Sequence, residues 1–323
     1  MRRRTLSTII LTGTIALGVA AVGVVGAPGV GGAAKTAKVA KPLYISMGDS
    51  YSVGYQNPSL GNTKGFTGYV ASKEHYQLEN FGCGGATTAS LFAQLGCPPA
   101  SSAATFGVPY PGITQVQAVL NFIAAPANAG KVQLITVSIS GNDVTSCANA
   151  TNPVACVLGV MPTVQANVTS LVTQLDAALT ANGDTTAHIV GITYPDVILG
   201  DYVFPVNSTN QSLAVLSKTA FDSFLNPTLD TAYTGVTRGA FVNVTTAPYG
   251  VATAGADTGS FDPTTFVYTG PTTHLKGFGK TVPAPVAEVC TLTWFCSIQG
   301  DIHANTKGYN FIGGLIVAKL ATL

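Results

Sequence analysis

The run Leu43-Tyr44-Ile45-Ser46-Met47-Gly48-Asp49-Ser50 carries an apolar and aromatic strand directly into a turn that ends on a hydroxyl. Leu43, Tyr44, Ile45 and Met47 supply the strand positions, and Gly48, Asp49 and Ser50 are the turn residues that end it. A serine at a strand's carboxyl end stands on the rim where open α/β sheets bind ligands. A helix starting just after it would aim backbone N–H groups and the positive end of its dipole at the serine oxygen, a setting that suits a nucleophile. Val132 to Ile139, VQLITVSI, is a second buried strand, rich in β-branched residues, and it ends at Ser140-Gly141-Asn142-Asp143. Chemistry-bearing residues thus follow a strand twice.

Gly48-Asp49-Ser50 resembles the first block of the SGNH/GDSL hydrolases, secreted esterases and lipases among them. Asn80-Phe81-Gly82-Cys83-Gly84-Gly85-Ala86-Thr87 is similar to the family's second block and Ser140-Gly141-Asn142-Asp143 to its third. Asp301-Ile302-His303-Ala304-Asn305 is similar to the fourth. A lone Gly-Asp-Ser is ordinary turn composition, but four blocks in the family's order between positions 48 and 305 are specific.

The resemblance implies a carboxylic ester hydrolase acting on an ester or lipid substrate, without metal or cofactor. It also implies a three-layer α/β/α, flavodoxin-like fold around a five-stranded parallel sheet. Ester cleavage needs an activated nucleophile, a base, and donors aimed at the tetrahedral oxyanion. Ser50 takes the first role. His303 takes the second, because an imidazole can accept the serine proton and return it to the leaving alcohol near neutral pH. The other histidines fit less well: His75 ends a surface helix, His188 starts a strand on the opposite rim, and His274 lies in an irregular stretch. By the same resemblance the oxyanion donors are the backbone N–H groups of Ser50 and Gly85 and the side-chain amide of Asn142. Glycine lacks a Cβ, so its amide can come close to a reacting carbonyl; asparagine offers N–H donors on a short side chain.

One departure concerns the group that orients His303. The family pattern has an aspartate three residues before the histidine, whereas here Gly300 holds that position and Asp301 stands two before. A two-residue offset sends side chains to different sides of a turn, which leaves two candidates: Asp301 and a backbone carbonyl near Gly300.

The elements that must position these groups alternate. After the first strand, a helix is expected over Gly68 to Tyr76, a strand over Gln77 to Phe81, and a helix over Thr114 to Ala124. Following the strand at Val132, Val164, Val168, Leu171, Val172, Leu175 and Leu179 give helical spacing over Pro162 to Ala181. His188 to Tyr194 reads as a fourth parallel strand, Asn210 to Tyr233 as a helix interrupted by Pro227, and Ala240 to Val244 as a fifth strand. Residues 245–288 form a Gly-, Thr- and Pro-rich insertion without period, and Asn305 to Leu323 is a closing helix. Strand–helix alternation implies a parallel sheet covered on both faces.

Composition sets the compartment. The chain has 323 residues, 46% hydrophobic and 9% charged, enough for one large core. Arg2, Arg3 and Arg4, an apolar run over residues 6–25 and small residues around Ala27 have the order of a secretory signal over residues 1–27, with Arg3-Arg4 a weak twin-arginine match. An uncleaved membrane anchor over 6–25 is the alternative. Residues 28–41 read as a flexible leader and 42–323 as the hydrolase domain. Loss of Arg2, Arg3 and Arg4 takes the formal charge from +1 to −2 and leaves Arg238 alone, which gives no nucleic-acid footprint. An exported monomer is expected, touching lipid surfaces transiently. All six cysteines follow the signal, and an even set in an exported chain reads as three disulfides. Sequence leaves the connectivity open; nearest-neighbour pairing joins Cys83 to Cys97, Cys147 to Cys156 and Cys290 to Cys296, each near a catalytic block. The rival reading, a secreted binding or surface protein that keeps the fold without turnover, is opposed by the intact Ser50, Gly85, Asn142 and His303.

Overall fold

Along the first strand, side chains alternate between two apolar layers, and this alternation organises the molecule. Leu43, Ile45 and Met47 face one hydrophobic cluster while Tyr44 faces the other, and all are buried. The computed structural model describes residues 40–204, 208–245, 259–262, 264–298 and 300–323. The expected signal, the candidate anchor over 6–25, nearly all of the leader and residues 246–258 of the insertion lie outside the described residues.

The first half of the chain holds β1 (Leu43–Gly48), α1 (Ser50–Val53), α2 (Gly65–Lys73), β2 (Gln77–Asn80), α3 (Ser90–Ala93), α4 (Gln115–Ala124), β3 (Val132–Ser138) and α5 (Gly141–Thr145). The second half holds α6 (Pro153–Ala181), β4 (His188–Ile192), α7 (Ser208–Ala220), α8 (Asn226–Tyr233), β5 (Gly239–Val242), β6 (Thr272–Leu275), β7 (Lys280–Pro283), α9 (Ala284–Leu292) and α10 (Thr306–Leu320). Five parallel strands pair in the order β2-β1-β3-β4-β5. One face is covered by α4, α6 and α8 through residues such as Val119, Ile123, Val168, Leu171 and Leu229. The other is covered by α2 and α10 through Phe66, Val70, Tyr309, Ile312 and Ile316. This is the expected three-layer α/β/α architecture. Its strand order reverses between β1 and β3, so the crevice for a ligand opens where Ser50 and Asn142 leave the sheet.

Helix α2 lies three residues before its expected span, β4 and β5 end two residues early, and three further elements differ more from the periodicity reading. Helix α6 begins at Pro153, nine residues before the expected start at Pro162. Pro153 occupies the first turn, where its missing N–H is no loss, and Asn152 caps the helix by accepting the Ala155 N–H at 3.0 Å. Pro162 sits inside the helix rather than starting it. The expected Asn210–Tyr233 helix is divided by a π-helical turn, Phe221–Leu225, before Pro227 enters the first turn of α8. The stretch read as irregular over 245–288 contains the β6–β7 antiparallel hairpin and most of α9. These pack through Val282, Val286 and Val289 on Val197, Leu199 and Val203, a third small core whose short apolar pieces carry no period.

Three disulfides join Cys83 to Cys97, Cys147 to Cys156 and Cys290 to Cys296, the nearest-neighbour pairing. Closing a loop of about 15 residues, as the first does, contributes on the order of 3 kcal/mol by restricting the unfolded chain.

Next to the site, the closest backbone approach in the sheet is at Gly48, the last residue of β1. It has φ +126°, and a Cβ there would lie 1.9 Å from the Ser138 carbonyl oxygen. Gly48→Ala is therefore expected to destabilise the fold by about 1–3 kcal/mol or more, read as a lowered denaturation midpoint; an unchanged midpoint would refute this close approach.

Candidate active site

Ser50 opens α1, and Asp49 caps that helix: its Oδ1 accepts the Tyr51 N–H at 3.0 Å. The turn before it is fixed from several sides. The Gly48 N–H donates to Gln115 Oε1 at 2.6 Å, Gln115 Nε2 donates to the Gly48 carbonyl at 3.1 Å, and the Asp49 N–H donates to the Ser138 carbonyl at 3.0 Å. The second block docks on the same turn, since the Cys83 N–H donates to the Gly48 carbonyl at 2.9 Å and Asn80 Nδ2 to the Ser52 carbonyl at 2.7 Å.

His303 arrives from the far end of the chain. Its Nε2 lies 2.9 Å from Ser50 Oγ, and its Nδ1 lies 2.9 Å from Asp301 Oδ1. The offset argument against Asp301 fails for a local reason. Asp301 Oδ1 also accepts the backbone N–H of His303 at 3.0 Å, and this turn, closed by the carboxylate itself, folds the oxygen back over the residue two positions on. Of the two candidates, the carboxylate makes the contact with Nδ1. Two aromatic rings frame the imidazole: Tyr55 meets it edge-on at 4.4 Å between centroids, and Tyr51 stands 6.0 Å away. The Tyr51 hydroxyl donates to the Ile302 carbonyl at 2.7 Å, and the Tyr309 hydroxyl donates to the Tyr55 carbonyl. Cys290–Cys296 and the Asn305 side chain, which donates to the Thr291 carbonyl at 2.8 Å, hold this loop to the end of α9.

The second and third blocks are tied to each other. Asn142 Nδ2 donates to the Ala86 carbonyl at 2.8 Å, which leaves the amide's other N–H uncommitted by that bond. Asp143 accepts the Thr88 N–H at 2.9 Å and the Thr88 hydroxyl at 2.7 Å. Gly85 has φ +82°, and a Cβ there would meet nothing within 4 Å, so the reason for glycine within this fold is the left-handed backbone rather than a close neighbour. Among the described residues, neither the Ser50 N–H nor the Gly85 N–H has a backbone acceptor.

With the four blocks converging on one rim, the comparisons can be set against the geometry. The model of the GDSL-like lipase/acylhydrolase family matches residues 44–316. The chain belongs to that family. Among solved structures it is similar to an extracellular lipase from Streptomyces rimosus, at 18% identity and a TM-score of 0.41, over 87% of this chain and 99% of that one. It is also similar to the lipase Lip_vut3 from a goat rumen metagenome, at 14% identity and a TM-score of 0.45, over 86% of this chain and 96% of that one. Comparison with curated proteins finds no match.

Beside Ser50 lies a cavity of about 120 Å³. Ser50, Asn142 and Tyr194 line it, together with apolar side chains that include Val144, Val157 and Leu216 and the π-turn residues Phe221 and Phe224. His303 and Gly85 stand outside this lining. Sequence reasoning missed the cavity, and it missed Asp49, Tyr51, Tyr55 and Tyr194 as parts of the site. The pocket residues come from separate elements and carry no shared spacing; the only local signal was aromatic residues next to turns.

Electrostatics follow burial. Desolvation pushes the Asp49 carboxyl up to about 7, against the hydrogen bonds from Tyr194 and the Tyr51 N–H. Burial lowers the His303 imidazole below its ordinary 6.5, partly offset by the hydrogen bond and charge of Asp301. The sign gives a test. The His303 ring is expected to titrate below 6.5 by NMR, and Asp301→Asn, which removes the group that raises it, should move the midpoint lower still. A midpoint that rises in Asp301→Asn would contradict this arrangement.

Proposed function

We propose that this family member hydrolyses carboxylic esters through an acyl-enzyme on Ser50. The observation that carries the reading is the Ser50 Oγ–His303 Nε2 separation of 2.9 Å, with Asp301 Oδ1 at 2.9 Å from the other ring nitrogen. His303, held neutral near pH 7 by its burial, takes the Ser50 proton as Oγ bonds to the carbonyl carbon. Asp301 fixes the ring so that Nδ1 carries a proton and Nε2 faces the serine, and it stabilises the imidazolium that forms. The carbonyl oxygen becomes an anion, which the Ser50 and Gly85 N–H groups and the Asn142 amide stabilise as donors fixed before the reaction starts. The ester C–O bond then breaks, the imidazolium proton leaves with the alcohol, and water repeats the sequence to release the acid.

The apolar cavity beside Ser50 favours an ester with an apolar acyl group, because burying each methylene there contributes about 0.8 kcal/mol. Three disulfides and the charged, apolar and small-residue order of residues 1–27 support export, with residues 42–323 as the hydrolase domain.

Two measurements test the reading. A fluorophosphonate probe is expected to label the protein and to lose all labelling in Ser50→Ala; persistent labelling of that variant would remove Ser50 from the role. Asn142→Ala should lower kcat on a synthetic aryl ester by about 10²-fold to 10³-fold, as loss of one oxyanion donor does. Full activity in that variant would sink the oxyanion assignment.

A further inference from the structure

Tyr194 lies just beyond β4 and carries no role in the scheme above, yet it touches two of the four blocks directly. Its hydroxyl donates to Asp49 Oδ2 at 2.6 Å, while Asp49 Oδ1 accepts the Tyr51 N–H. Its ring packs on the third block, so closely that a Cβ on Gly141 would lie 3.0 Å from Tyr194 Cζ. It also meets Tyr51 edge-on, with centroids 5.0 Å apart and planes at 83°. Tyr51 in turn donates to the Ile302 carbonyl, one residue before His303. A single phenol therefore bears on the turn of the nucleophile and on the turn of Asn142, and reaches the histidine loop through one intermediary.

We propose that Tyr194 is a positioning residue for the hydrolysis: its hydroxyl clamps the buried Asp49 side chain, which holds the first turn of α1 and keeps Ser50 Oγ within reach of His303. The inference rests on the ester-hydrolase reading above.

Asp49 is 1% exposed. A carboxylate so buried needs a donor for each oxygen, and an unmet one either takes up a proton or turns toward water. The tendency toward the neutral acid is already strong here, since burial outweighs the two donors. Without the Tyr194 hydroxyl, Oδ2 faces the adjoining cavity unpaired, the carboxyl rotates or protonates, and the cap on Tyr51 weakens. The residue displaced is the one between them in sequence, Ser50. A shift of about 1 Å at a reacting group is enough for roughly a 10²-fold loss.

The test is Tyr194→Phe, which keeps the ring against Gly141 and Tyr51 and removes only the hydroxyl. Turnover on a short-chain aryl ester is counted per active site by fluorophosphonate titration, with thermal midpoints measured alongside. The expected result is a kcat lower by about 10-fold to 100-fold with KM changed less than about twofold, the pattern of an interaction that acts on the chemical step. Asp49→Asn breaks the same clamp from the other side, and the double variant should lose no more than the worse single one. Unchanged kcat per titrated site in Tyr194→Phe, with or without a lower midpoint, would reduce the tyrosine to a packing role and overturn the proposal. So would losses that multiply in the double variant. Should Tyr194→Phe fold poorly, Asp49→Asn with an unchanged kcat is equally decisive against it. A wild-type protein inert to both probe and ester would end the hydrolase reading together with this one, whereas an active wild type matched by Tyr194→Phe would end only this one.

Discussion

Everything at the site depends on how closely β1 and β3 meet at their carboxyl ends. Gly48 leaves no room for a side chain against the Ser138 carbonyl, and the Asp49 N–H donates to that same oxygen at 3.0 Å. Because the two strands are joined there, the turns that follow them open toward one another. Ser50 and Asn142 then line one cavity, although they leave the sheet from different strands. In a sheet ordered β2-β1-β3-β4-β5 this is the position where successive connections run to opposite faces, so a crevice forms without any special loop. The meeting of these two turns is therefore an outcome of strand order combined with one missing Cβ.

Burial then sets the proton chemistry. The site contains acidic groups and an imidazole, and among the described residues no lysine or arginine forms an ion pair with Asp49, Asp143 or Asp301. Desolvation is the largest influence on Asp49, Asp143 and His303 alike, raising the two carboxyls and lowering the imidazole. Hydrogen bonds push back in each case: Tyr194 and Tyr51 on Asp49, Thr88 on Asp143, Asp301 on His303. A neutral imidazole beside a serine hydroxyl is what a general base requires, and the same low-polarity setting strengthens the attraction between fixed donors and a developing oxyanion.

Much of this was legible in the sequence, and the remainder was hidden for identifiable reasons. Strands β1 and β3 announced themselves because central parallel strands are buried on both faces and read as continuous apolar runs. The four blocks were visible because each packs its chemistry into a few consecutive turn residues. Asp301 could not be resolved from spacing, since its orientation is set by a backbone N–H that it accepts two residues on, a matter of local conformation. The first turns of α6 were hidden by Pro162, which reads as a helix start and stands in the interior. The hairpin and α9 escaped because their apolar residues gain a partner only by packing on Val197 to Val203, far away in the chain. Tyr194 looked like the last residue of a strand; its hydrogen bond to Asp49 spans 145 positions and leaves no local trace.

The most direct measurement is the crystal structure of the protein after reaction with an aryl phosphonate, whose tetrahedral phosphorus stands in for the attacked carbonyl. The account predicts phosphorus bonded to Ser50 Oγ, one phosphonyl oxygen within about 3 Å of the Ser50 N–H, the Gly85 N–H and the Asn142 amide, and the apolar substituent in the cavity beside Phe221. A phosphonyl oxygen turned to solvent away from all three donors, or a covalent bond to any other residue, would contradict it.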